Sequence, residues 1–183
     1  PTVGPDHLNS TPEVAFHVAR PKVCCAAHDA AAEPFRPTII IPTKDRCESL
    51  CQLLNSVAQL AAIDRILPEV IVADNNSSDG TYEFVQATAH RFPTTLRVLR
   101  VPRSGKSAAI NDAVRIATSD VVAFLDDDVT VDKAWLTSVE EYFRTGEYPV
   151  AQGAVQLRSP AGDDPKVRRL NQRYRTIPRI EYE

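Results

Sequence analysis

The sequence predicts an α/β protein in three layers, with helices on both faces of a mostly parallel central sheet. Three observations lead there. Short apolar runs of strand length recur at TIIIPT (38–43), EVIVAD (69–74), TLRVLRV (95–101) and DVVAFLD (120–126). Segments with helical spacing alternate with them. Each connection is long enough to hold a helix, so successive strands can run parallel with right-handed crossovers.

TIIIPT is continuously apolar, as a strand buried on both faces of a parallel sheet requires. It leads into DRCESLCQLLNSVAQL, where Leu50, Leu53, Leu54, Val57 and Leu60 recur at helical spacing. EVIVAD is the second strand and SDGTYEFVQATAHRF the second helix, with Asp79 in position to cap it. TLRVLRV is the third strand, followed by a helix from about Lys106 to Ala117. DVVAFLD is the fourth strand, KAWLTSVEEYF (133–143) a further helix, and YPVAQGAVQLR (148–158) a fifth strand. Residues 1–36 are punctuated by Pro1, Pro5, Pro12, Pro21 and Pro34 and read as an extension or linker. Residues 37–160 form the core. Residues 161–183 are a basic segment containing Lys166, Arg168, Arg169, Arg173, Arg175 and Arg179.

A chain of 183 residues suits one globular domain with a sizeable core. Its net charge of −3 argues against a general nucleic-acid surface. No apolar run approaches the roughly 18 residues of a membrane helix, and no secretory signal opens the chain. The absence of methionine is expected of a processed chain rather than a native start. Cys24, Cys25, Cys47 and Cys51 form no paired C-x-x-C knuckles. Adding His28 to the first two would sketch a zinc set, but buried or incidental thiols are the better reading, and they suit a reducing, cytoplasmic compartment.

Ligands of parallel sheets bind beyond the carboxyl ends of the strands. Those ends supply Thr43, Lys44, Asp45 and Arg46; then ADNNSSDGT with Asp74; then PRSGKS; then Asp126, Asp127 and Asp128. Carboxylates, amides, a small-residue loop and cations on one edge suit a nucleoside diphosphate with a metal. A divalent ion such as Mg²⁺ needs only one or two carboxylates when phosphate and water complete its shell. Asp126 and Asp128 could divide ribose and metal between them, with Asp127 in support. An acidic turn capping the next helix is the blander alternative.

Gly105-Lys106-Ser107 raises a P-loop alternative. That motif is G-x-x-x-x-G-K-[ST], and counting back five from Gly105 reaches Arg100, inside the third strand. The loop is too short and lacks the first glycine.

Together TIIIPTKDR, VIVADNNSSDGT and RSGKSAAINDAVRIATSDVVAFLDDD, in this order, resemble glycosyltransferase family 2 over about residues 37–158. The resemblance implies a Rossmann-like GT-A fold and inverting transfer of a sugar, a UDP-sugar first among donors, to a carbohydrate or lipid-linked acceptor with Mg²⁺ or Mn²⁺. It implies Pro42, Thr43 and Asp45 along the base and ribose, Asp74 on the base, and Gly105 and Lys106 near base, ribose and diphosphate. Asp126 would contact ribose and Asp128 the metal. The family's catalytic base lies well downstream, and no matching acidic block precedes Glu183, so a piece carrying mainly the donor half is expected. A phosphotransferase and a donor-binding module without catalysis remain the alternatives. The basic tail is able to meet a membrane surface or lipid phosphate, although such runs are usually solvated faces.

Overall fold

The computed structural model describes residues 34–145 and 150–153. They belong to the second of two units into which the chain divides, Glu33–Glu183. The strands are β1 (Thr38–Thr43), β2 (Glu69–Asp74), β3 (Leu96–Arg100) and β4 (Val122–Phe124). The helices are α1 (Cys47–Ala58), α2 (Ile63–Ile66), α3 (Thr81–Ala89), α4 (Lys106–Ile116) and α5 (Trp135–Thr145).

The four strands form one parallel sheet in the order β3-β2-β1-β4. Every residue of β1 and β2 is buried, which explains the apolar runs at their centres, Ile39 to Ile41 and Val70 to Ala73. Alternation along β1 sends Ile39 and Ile41 into one core and Ile40 into the other. The first core takes Leu50, Leu53, Leu54 and Val57 of α1, Val85 of α3 and Leu136 of α5. The second receives Ala109 and Ala113 of α4, whose small side chains let that helix lie close to Ile40 and Ile71. The helices thus cover both faces, and the expected three layers are present.

The chain steps outward from β1 through β2 to β3, then returns past β1 to place β4 on its other side. This reversal sets the carboxyl ends of β1 and β4 side by side, and a crevice opens at that edge.

Boundaries differ where local chemistry overrides spacing. Asp79 is not the N-cap of α3. Gly80 holds that position with a φ of 86°, a left-handed conformation that glycine adopts without strain. Asp79 acts one residue earlier, accepting from the Thr81 N–H at 3.1 Å. The last helix starts at Trp135 rather than residue 133, because Asp132 Oδ1 accepts from the Ala134 N–H at 2.8 Å and closes a turn first. Helix α2, unexpected from the sequence, is four residues between Ala62 and Leu67, both left-handed, and is too short to show periodicity. β4 pairs with β1 over only three residues, so Asp126 lies beyond the strand. The anticipated strand at 148–158 lies outside the described residues except for 150–153, which are not in a strand. Cys24, Cys25, His28 and the basic tail also lie outside them.

Candidate donor-nucleotide site

At the crevice between β1 and β4 the structure forms a cavity of about 490 Å³. Pro42, Thr43 and Lys44 line it from the end of β1, Gly105 and Lys106 from the start of α4, and Asp126, Asp127 and Asp128 from the turn after β4. Six of the expected site residues therefore meet there: Pro42, Thr43, Gly105, Lys106, Asp126 and Asp128.

The three aspartates do different work. Asp127 turns inward, with its side chain 12% exposed, and accepts a 2.8 Å hydrogen bond from Thr43 Oγ1. Asp126 and Asp128 stay 58% and 56% exposed. Asp126 pairs with Lys106, and Asp128 accepts from Arg46 Nη1 at 2.9 Å. The same nitrogen reaches Asp127 Oδ1 at 3.5 Å. Cations from the β1 and α4 ends thus face carboxylates from the β4 end across the cavity.

Asp74 and Asp45 take other places. Asp74 is fully buried, and its Oδ1 accepts from the Ser77 N–H at 3.0 Å. Its Oδ2 has no hydrogen-bond partner, with the Arg100 guanidinium 3.7 Å away. Arg100 also lies over the Tyr82 ring, 4.2 Å from its centroid. Asp45 Oδ1 accepts from the Ser78 N–H at 2.7 Å, tying the β1–α1 loop to the β2–α3 loop. Neither aspartate lines the cavity.

Sequence reasoning missed Arg46 and Asn75 as site residues, although both sit next to residues it chose. Asn75 is 6% exposed. Its Nδ2 donates to the Arg103 carbonyl at 2.6 Å and the Val101 carbonyl at 3.3 Å. Its Oδ1 accepts from the Gly105 N–H at 2.8 Å. That amide is therefore engaged within the fold, unlike the open amides of a phosphate-cradling loop, and Arg100 is indeed in β3. The phosphotransferase alternative loses its structural basis.

Charges outside the cavity are structural. Burial pushes the Glu69 carboxyl up, but hydrogen bonds from Arg97, Thr118 and Thr38 outweigh it and leave it below its ordinary value. Hydrogen bonding from the Thr81 hydroxyl, opposed by burial and helped by the Cys47 and Thr81 amides, lowers Asp79. That carboxylate thereby serves the starts of both α1 and α3. Burial pushes the Cys47 thiol up, so it is not an activated nucleophile.

Hard oxygen donors at Asp126 and Asp128, exposed and held only by exposed cationic side chains, fit a divalent ion that takes one or two carboxylates and completes its shell elsewhere. They do not form an all-protein cage, since among the described residues no group of three His, Cys, Asp or Glu could hold a metal.

Comparison with known proteins gives these features a lineage. A family model described as Glycosyl transferase family 2 matches residues 38–182. The chain belongs to that family. Among its curated relatives, the succinoglycan biosynthesis protein ExoM of Rhizobium meliloti (strain 1021) is 33% identical over 111 residues, covering 61% of this chain and 36% of that protein. Glycosyltransferase AglE of Haloferax volcanii is 28% identical over 126 residues, covering 68% of this chain and 41% of that protein. The chain therefore spans well under half the length of either relative.

Solved GT-A structures agree on the fold of this family 2 chain. S. aureus TarS 1-349 in complex with UDP-GlcNAc is 26% identical with a TM-score of 0.52, covering 60% of this chain and 31% of that one. Mannosyltransferase PcManGT from Pyrobaculum calidifontis, in complex with GDP-Man and Mn²⁺, is 25% identical with a TM-score of 0.56, covering 73% and 38%. Among the described residues no helix is long and apolar enough to cross a membrane.

Proposed function

We propose that this chain carries the donor site of a glycosyltransferase that moves a sugar from a nucleoside diphosphate to an acceptor hydroxyl with inversion. The observation that carries this reading is the cavity between the ends of β1 and β4, where Lys44, Arg46 and Lys106 share the lining with Asp126, Asp127 and Asp128. Family membership and the likeness to structures holding UDP-GlcNAc and GDP-Man support a nucleotide-sugar donor.

Pro42 and Thr43 line the nucleoside end, and Gly105 closes one wall. Asp126 contacts ribose and Asp128 supplies the metal ligand. Lys106, flexible and charged, is within reach of phosphate oxygens once it leaves Asp126. Mg²⁺ or Mn²⁺ bound at Asp128 would neutralise charge on the departing diphosphate. We keep Asp74 on the base, through its unsatisfied Oδ2, and Asp45 on the ribose; neither lines the cavity, so both contacts need the surrounding loops to rearrange on donor binding. An acceptor that is a carbohydrate or lipid-linked hydroxyl suits a relative named for succinoglycan biosynthesis. Deprotonating that hydroxyl needs a carboxylate within hydrogen-bond reach. Each cavity aspartate already has a cationic partner, so we assign the base to none of them.

Calorimetric titration with UDP, GDP, TDP, ADP and ATP, with and without Mn²⁺, tests this reading. A metal-dependent preference for one diphosphate supports it and names the base. Preference for ATP with no metal effect would sink it.

A further inference from the structure

We infer that Asn75 is a positioning residue that sets where the Gly105–Lys106 corner stands against the end of β2, and so fixes one wall of the donor cavity. Its consequence for ligand binding rests on the donor-site reading above; its geometry does not.

The argument begins with the backbone. β2 and β3 are paired as far as Asp74 and Arg100, and the Val101 N–H donates to the Asp74 carbonyl at 2.8 Å. Beyond that bond the sheet ends, and residues 102–105 must reach the first turn of α4 without ladder hydrogen bonds. Asn75 takes over there. Its own N–H donates to the Thr43 carbonyl at 2.9 Å, tying it to β1. Its side chain holds Val101, Arg103 and Gly105 on the other side. One buried residue thereby brackets the ends of three strands.

The chemistry of those contacts selects an amide. Two carbonyl oxygens need donors, and one N–H needs an acceptor. This also fixes which end of the Asn75 amide is nitrogen, because a flipped amide would face oxygen with oxygen. Aspartate keeps the acceptor but sets a carboxylate against two carbonyls. Serine and alanine do not bridge the gap. Gly105, at the far end of the bracket, has a φ of 115°, where a side chain would be strained. No side chain caps α4 at that position. The corner is therefore held by Asn75 together with the Arg103–Asp112 pair, and the next residue is Lys106, which pairs with Asp126 across the cavity.

Asn75→Asp provides a readout that simple loss of stability would not. Buried against two carbonyls, the new carboxyl has a raised pKa. When protonated it regains one donor for the Arg103 carbonyl and keeps the acceptor for Gly105, restoring most of the bracket. We would measure hydrogen-exchange protection at Gly105 and Lys106, with Ile40 and Ile71 as sheet references, for the unsubstituted chain, Asn75→Asp and Asn75→Ala. The same samples would be titrated with UDP, GDP, TDP and ADP in Mn²⁺.

At about pH 7.5, both variants should lose roughly tenfold protection at Gly105, with the sheet references unchanged. At about pH 5, Asn75→Asp should recover and Asn75→Ala should not. Diphosphate affinity should follow the same pattern. Should Asn75→Ala fail to fold, the acid recovery of Asn75→Asp alone decides the matter. Full protection at Gly105 in Asn75→Asp at the higher pH, or a loss that acid does not reverse, overturns the inference. Recovery of protection in a chain that binds none of these diphosphates supports the bracket while sinking the donor-site reading.

Discussion

Thr43 Oγ1 donates a 2.8 Å hydrogen bond to Asp127 Oδ2, joining the end of β1 to the turn after β4 across 84 residues of sequence. This bond turns the middle aspartate inward and leaves its neighbours exposed to the cavity. Thr43→Val keeps the shape and removes the donor, leaving Asp127 Oδ2 without that partner in a mostly buried site. We expect a loss of about 1–2 kcal/mol in urea unfolding, with Thr43→Ser close to the unsubstituted chain. Equal stability of the Val and Ser variants would show that the bond contributes nothing.

Asp128→Ala tests the metal. If Asp128 holds the ion, the gain in diphosphate affinity on adding Mn²⁺ should fall by about tenfold or more. Binding without metal should change little. Calorimetry with and without Mn²⁺ reads both quantities, and an undiminished metal effect would place the ion elsewhere.

Arg46→Ala should act in the opposite direction on the nucleotide-free protein. Its guanidinium occupies the Asp128 carboxylate and approaches Asp127, so it competes with an incoming cation. Both Arg46 and Asp128 are about half exposed, which limits the effect. We expect Mn²⁺ affinity to rise about twofold to tenfold at low ionic strength and the gain to shrink with added salt. Weaker Mn²⁺ binding would mean that Arg46 organises the site rather than competing for it.

The carboxylates of the frame should make the fold sensitive to acid. Arg65 hydrogen-bonds Glu140 and, against some burial and with help from Arg144, holds its carboxyl at about 2 instead of the ordinary 4.5. A folded-state pKa below the unfolded one contributes stability above the ordinary value and loses it as pH falls through the folded value. Glu69 and Asp79 are shifted in the same direction. Unfolding midpoints should therefore drop on acidification from about pH 4.5 toward 2, and less steeply in Glu140→Gln. Identical profiles for the two proteins would rule out this contribution.

β1 and β2 were legible to the residue, because strands buried on both faces carry a continuous apolar centre with polar residues only at the ends. α1 and α4 were legible to within a few residues from their spacing. α2 was not, because a single turn between two left-handed residues buries only Ile63 and Ile66. Residue types at the strand ends identified Lys106, Asp126 and Asp128. Their two-residue spacing set Asp127 apart as a supporting residue, but gave no sign that Thr43 would be its partner. Arg46 and Asn75 escaped for a similar reason: the value of each lies in partners distant in sequence.

By itself the sequence determined the layered α/β class, the order of strands and helices along the chain, and the set of polar residues gathered at the strand ends. Local periodicity and the ordered blocks carry that information. Tertiary structure alone decided that β4 lies beside β1 rather than beside β3, and hence where the crevice opens. It also decided that Asp74 is buried, that Asp127 takes Thr43 as its partner, and that one amide brackets three strands. Strand order and side-chain partnership depend on which distant surfaces pack together, and a hydrogen bond spanning 84 residues leaves no local periodicity to read.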